Sequence, residues 1–197
     1  MVVRESRKPI QFKLPLANSE FGPIIADGPI ASDQPLVFMA ASVYNMIKEQ
    51  SRESDPREVG GALLGQYCED EGTRFIIIPT AISCVVGAAT PVSIDFPPEF
   101  WQQVEEEHAE KYPGLLRLGP YHSHPGYGVH PSSTDQATIL QAFSRPHHIS
   151  VIYDPREDRV GYTCWKDGDL MPPSSCFIYE HDSPEALVQE LMDARPD

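Results

Sequence analysis

The stretch from Gly119 to Gln136 reads GPYHSHPGYGVHPSSTDQ, and it gathers three histidines, an aspartate and several small hydroxylated residues. His122 and His124 are two residues apart. If the segment leading to them is a strand, alternate side chains share a face, so the two imidazoles stand side by side at the strand's end. One metal ion can bridge such a pair. Zinc takes nitrogen ligands at ~2.0–2.1 Å in a tetrahedral arrangement, and a catalytic site supplies three protein ligands and keeps a fourth position open. Asp135 is the best third ligand: a loop-like PGYGVHP separates it from His124, and a carboxylate with two imidazoles suits zinc. Each piece also has a plainer meaning. A lone HxH is a weak signal. Ser132 and Asp135, read by themselves, are a helix-start cap. His130, His147 and His148 have no spaced partner and read as solvent-facing.

Hydrolysis at such a centre needs a proton carrier and a group that steadies the charge building on the carbonyl oxygen. Glu58, at the head of EVGGALLG, is the candidate carrier, although DPREVGG alone reads as a solvated strand start. Ser132 is the candidate hydrogen-bond donor to the oxyanion, besides its capping role. What raises these readings above their parts is conjunction: HxHP, a six-residue loop and SxxD form one compound pattern of fixed types and spacing.

The elements that must position these residues follow from periodicity and punctuation. A helix is expected over 35–54, with Pro35 in its first turn and Val37, Ala40, Ala41, Tyr44 and Ile47 on one face. Strands are expected in EVGGALLGQYCED and TRFIIIPTAIS, and a second helix in PPEFWQQVEEEHAEKY from Pro97. LLRLGPYHSH reads as the strand carrying the histidine pair, and SSTDQATILQAFSRP as a third helix ended by Pro146. HHISVIYDP, DRVGYTCWKDG and CFIYEHD read as strands, with Asp154-Pro155 and Asp167-Gly168 as turn signals. A last helix starts with Ser183 at its N-cap and Pro184 at its first position. Consecutive strands exclude a regular βαβ winding. The expected class is α/β in the α+β sense, with a mixed or antiparallel sheet flanked by helices.

Residues 1–35 differ in texture, being rich in Pro and Gly with short apolar runs, and read as an N-terminal arm with one strand, packed on a domain spanning 36–197. The segment 81–100 is apolar for a loop; Val85, Val86, Ile94 and Phe96 offer either packing against the second helix or a recognition surface. The chain has 197 residues and a net charge of −14, from 29 acidic and 15 basic residues. That balance argues against nucleic-acid binding, which needs clustered Lys and Arg. No apolar run approaches the ~20 residues that span a bilayer, and no signal-peptide core is present, so a cytoplasmic protein is expected. The four scattered cysteines read as free thiols.

Glu58 with EVGGALLG, HSHP at 122–125 and SSTD at 132–135 together resemble the JAMM (MPN-domain) zinc metallopeptidases, whose motif is an upstream glutamate followed by H-[ST]-H-P-x6-S-x-x-D. Every position is satisfied. The resemblance implies one zinc per chain held by His122, His124 and Asp135, with Glu58 as general acid/base and Ser132 steadying the tetrahedral intermediate. It implies a sheet curled into a partial barrel, of cytidine deaminase-like architecture. It also implies an isopeptidase or peptidase that cuts after the C-terminal glycine of a ubiquitin-like protein. With no activating or conjugating segment in the chain, the expected type is a free-standing bacterial deubiquitinase-like member. Conjugating and activating enzymes of an antiphage ubiquitin-like pathway are its implied partners. Two alternatives stay open: trimming of a sulfur-carrier-type protein, and a non-catalytic MPN scaffold.

Overall fold

The computed structural model describes residues 8–27, 36–84, 98–166, 169–171 and 176–196. Val85, Val86, Ile94 and Phe96 lie outside the described residues, as do Pro35, Pro97 and the turn at Asp167-Gly168.

Among the described residues, ten strands form one sheet: β1 (Ile10–Gln11), β2 (Phe21–Asp27), β3 (Leu36–Ala40), β4 (Gly60–Asp70), β5 (Thr73–Ser83), β6 (Leu116–Ser123), β7 (Ile149–Asp154), β8 (Arg159–Lys166), β9 (Asp169–Leu170) and β10 (Cys176–His181). Among the described residues, four α-helices accompany it: α1 (Ala41–Ser54), α2 (Pro98–Lys111), α3 (Ser133–Ala142) and α4 (Pro184–Asp193). The strand order is β2-β10-β3-β5-β4-β6-β7-β8-β9, with β1 beside β4. The pairs β10–β3, β3–β5, β6–β7 and β1–β4 are parallel; β4–β5, β4–β6, β7–β8 and β10–β2 are antiparallel. The sheet is mixed, as the strand pattern leads one to expect, and curls into a partial barrel, as the resemblance implies.

Strand alternation builds two cores. On β3, Phe38 faces one side with Phe75 and Ile77 of β5 and Ala62 and Leu64 of β4. That side is covered by Phe100 and Val104 of α2 and Leu187 and Leu191 of α4. Val37 and Met39 face the other side with Ile76, Ile78 and Leu63, under Val43 and Ile47 of α1. A strand buried on both faces must be apolar at every position, and Val37, Phe38 and Met39 are all fully buried.

This is where the helix expected over 35–54 is corrected: residues 36–40 are strand and the helix begins at Ala41. Five apolar residues satisfy the helical and the doubly buried strand patterns alike, and pairing with β10 and β5 decides for the strand. The third helix stops at Ala142, four residues before Pro146, with the Phe143 N–H closing on Ile139 O. Ser183 stands at the N-cap of α4 but makes no side-chain capping bond.

The arm holds two described strands. Ile10 lies opposite Cys68 on β4, and β2 runs antiparallel along β10 from Asp27 opposite Cys176 to Phe21 opposite His181. Ile10, Phe12 and Phe21 are buried in the first core. Cys68, Cys84, Cys164 and Cys176 are not joined in disulfides. Among the described residues, no helix is long and apolar enough to cross a membrane.

Candidate metal centre

β6 ends the sheet's central antiparallel run, and its last residues carry the histidine pair. His122 lies opposite Gly60 of β4 and beside Ile152 of β7. Beyond the ladder, the Ser123 N–H donates to Val59 O at 2.8 Å, and the Ser123 hydroxyl accepts from the Val59 N–H at 2.9 Å. The His124 N–H donates to Tyr153 O at 2.8 Å. Neighbouring strands thus hold both histidines on their backbones, and both side chains are buried, 3 % and 6 % exposed by residue.

Asp135 arrives on the first turn of α3. Ser132 is the N-cap: its hydroxyl accepts from the Asp135 N–H at 3.2 Å, and Asp135 Oδ2 accepts from the Ser132 N–H at 2.7 Å. The capping reading of this pair is therefore correct as structure, and the cap also aims the carboxylate. Asp135 Oδ1 lies 3.3 Å from His122 Nε2, and Oδ2 lies 3.4 Å from His124 Nε2. The two Nε2 atoms are 3.0 Å apart.

These distances test a metal. Four ligands at ~2.0–2.1 Å around a tetrahedral zinc stand about 3.3–3.4 Å from one another. The two nitrogen–oxygen separations are of that size, each to a different oxygen of the carboxylate, and the nitrogen–nitrogen one is slightly short of it. Two imidazole nitrogens and a carboxylate are a zinc-type donor set. His122, His124 and Asp135 fit the ion that the sequence implies and form a group able to hold one.

Charge in the cluster follows its contacts. Burial opposes ionisation of Asp135, but the His122 and His124 imidazoles, with Ser132, hold its carboxyl far below the usual range. Burial likewise disfavours a charged His124, yet the Asp135 carboxylate and the charge of Glu58 outweigh it and raise its pKa. Glu58 is 3 % exposed, which corrects the reading of it as a solvated strand start. It directly precedes Val59, the residue doubly bonded to Ser123 between the two histidines, so the β4–β6 ladder carries it to the centre.

The other histidines divide. His130 is exposed, as expected. His147 and His148 are 3 % and 8 % exposed, contrary to the solvent-facing reading. Because α3 stops early, these residues pass under its C-terminal end into β7, where His147 packs near Tyr67 and His148 edge-on to Phe143.

One residue near the site escapes sequence reading. Asp154, read as part of a turn, is fully buried at the end of β7 and accepts from the backbone N–H groups of Gly126 and Gly128, in the loop between His124 and Asp135. Burial opposes its ionisation, but these bonds and those from the Arg156 and Glu157 N–H groups hold its carboxyl below the ordinary range. An acidic residue closing the apolar run ISVIY was the available signal.

Residues 40–166 match the family described as prokaryotic homologs of the JAB domain, a span of well over half the chain that contains Glu58, His122, His124, Ser132 and Asp135. The chain belongs to that family. JAB membership bears out the JAMM/MPN resemblance. The chain is 25 % identical over 158 residues to the 26S proteasome regulatory subunit rpn11 of Schizosaccharomyces pombe, covering 79 % of this chain and 50 % of that protein. It is 30 % identical over 121 residues to the uncharacterized protein F37A4.5 of Caenorhabditis elegans, covering 56 % of this chain and 34 % of that one. The chain thus spans half or less of the curated relatives it matches. The solution structure of protein DSY2949 from Desulfitobacterium hafniense shares the fold, with a TM-score of 0.57 at 17 % identity over 74 % of this chain and 94 % of that one.

Proposed function

We propose that this JAB-family chain is a zinc-dependent peptidase or isopeptidase that cleaves after the C-terminal glycine of a ubiquitin-like protein. The observation that carries the reading is the convergence of His122 Nε2, His124 Nε2 and the Asp135 carboxylate within 3.0–3.4 Å, with buried Glu58 close enough for its charge to act on His124. A non-catalytic scaffold has no use for a complete ligand set with an acidic residue held beside it.

When bound, zinc supplies Lewis acidity and lowers the pKa of a coordinated water toward ~7. The chain's own residues do the rest. Glu58 accepts the proton of the attacking water on its carboxylate and passes it to the leaving amine as the bond breaks. The Ser132 hydroxyl oxygen accepts from the Asp135 N–H, which leaves its own hydrogen to donate to the oxyanion. The ubiquitin-like substrate is supported by the likeness to a proteasomal rpn11, and the prokaryotic family supports a bacterial conjugation system as its setting. In that setting the partners are conjugating and activating enzymes, the place is the cytoplasm and the service is defence against phage.

The test is zinc per chain by elemental analysis, followed by cleavage of a ubiquitin-like protein extended or conjugated beyond its terminal glycine. About one zinc in the wild type, much less in His122→Ala, and cleavage by the wild type alone are expected. Equal, negligible zinc in both proteins after incubation with excess metal overturns the reading. Cleavage of a sulfur-carrier precursor in place of the ubiquitin-like substrate overturns the assigned specificity.

A further inference from the structure

The loop over residues 125–131 joins the two halves of the candidate metal centre, with His124 before it and the helix of Asp135 after it. Its backbone is not one that ordinary residues adopt. Gly126 and Gly128 have φ of 85° and 75°, the left-handed region that favours glycine. Two glycines make a loop floppy unless something outside it fixes its path.

The β7–β8 hairpin does so. Asp154 Oδ1 accepts from the Gly126 N–H at 2.9 Å, and Oδ2 accepts from the Gly128 N–H at 2.8 Å. The same carboxylate ties its own turn, with Oδ1 also accepting from Arg156 N–H at 2.9 Å and Glu157 N–H at 3.3 Å. Charge-assisted bonds to backbone N–H groups are strong, and Asp154, which accepts them, is fully buried. Val129 is buried next to Gly161 of β8, where any Cβ would come within 2.5 Å of Val129 O. On the outside, the Arg156 guanidinium lies against Gly126 and donates to Asp55, three residues before Glu58, at 2.9 Å.

We propose that Asp154 is a positioning residue for the metal centre, setting the path of the 125–131 loop in the metal-free protein so that His124 and Asp135 meet before any ion arrives. This rests on the zinc reading above, since it assigns Asp154 a role toward the same ligands. The bonds that the Asp154 carboxylate accepts come from the backbone of Gly126, Gly128, Arg156 and Glu157, so it acts through the loop between the ligands.

Asp154→Asn separates this role from bulk stability. The amide oxygen can take the Oδ1 place and keep the bond to Gly126, while the NH2 group then faces the Gly128 N–H and loses that bond. Removing a partner that orients ligands costs about 10–100-fold in metal affinity. The experiment is zinc titration against a competing chelating dye, together with amide hydrogen exchange of Gly126 and Gly128 without metal. In the wild type both amides should exchange far more slowly than in an unstructured peptide. In Asp154→Asn, Gly128 should lose protection while Gly126 keeps most of it, and the zinc dissociation constant should rise about 10–100-fold. Zinc affinity within twofold of wild type with unchanged Gly128 protection overturns the proposal. If the variant does not fold, the wild type decides: unprotected Gly126 and Gly128 amides in metal-free protein overturn it. A wild type that takes up no zinc sinks the proposed function instead, and the exchange data still report on the loop.

Discussion

Gly60 and His122 face each other across the β4–β6 ladder, and the strand that presents the histidine therefore also fixes where the residue two before Gly60, Glu58, must lie. The Val59–Ser123 pair of hydrogen bonds locks that register between the two imidazoles. Proton carrier and metal ligands come from sequence positions more than sixty residues apart, and a single strand pairing unites them.

Glu58→Gln tests the carrier. The substitution preserves shape and removes the charge, and it takes away no ligand. Zinc per chain should stay at the wild-type level while turnover falls by about 10²–10⁴-fold, the span that general acid–base catalysis contributes. Turnover at the wild-type rate with full zinc would show that the proton moves through another group.

Ser132→Ala separates capping from catalysis. The Asp135 N–H loses its acceptor, which costs about 0.5–2 kcal/mol of stability. The Ser132 N–H to Asp135 Oδ2 bond involves the backbone and survives, so zinc content should hold. If the hydroxyl donates to the oxyanion, turnover per folded molecule should also drop by about 10²–10³-fold. A loss of melting temperature with unchanged turnover would leave Ser132 a cap and nothing more.

Gly61 lies where β4, β5 and β6 crowd together. A Cβ there would stand 2.2 Å from Ile82 O and 2.5 Å from the Tyr121 ring. Backbone oxygen cannot move aside cheaply, so Gly61→Ala should destabilise the fold by about 1–3 kcal/mol, as overpacking does. Chemical denaturation of the metal-free protein measures it. The strain falls three residues from Glu58, so activity should fall further than the loss of folded protein explains.

Legibility followed the range of the forces involved. β5 reads correctly from Thr73 to Ser83 because its β-branched apolar run is bounded by its own turn residues. The histidine pair and the SxxD helix start are equally local, and the structure brings them together as their spacing suggests. β3 does not read correctly, because its five apolar residues fit a helix until β5 and β10 close on them. β2 is opaque for a similar reason: its partner, β10, lies about 150 residues further along the chain. Asp154 looks like punctuation in the sequence because its two loop donors lie 28 and 26 residues earlier, and only the parallel pairing of β6 with β7 brings them to it.

The Asp154 carboxylate also sets a pH dependence that metal-free protein can report. Its pKa is lowered in the folded state from an ordinary value of 3.8, since four backbone N–H groups favour the charged form more than burial opposes it. A depressed carboxyl contributes stability that is fully present above the unfolded pKa and lost as pH falls through the folded one. The gap in melting temperature between wild type and Asp154→Asn should therefore be widest and flat above about pH 5, where both states of the wild-type carboxyl are ionised. It should narrow as the solution is acidified below about pH 4, because protonation takes from the wild type the charge that the variant already lacks. Thermal melts of both proteins without metal, from neutral pH down to the onset of acid unfolding, measure it. A gap that stays constant through the acid range would mean that the carboxylate's charge contributes nothing to holding the loop, and that shape alone does so.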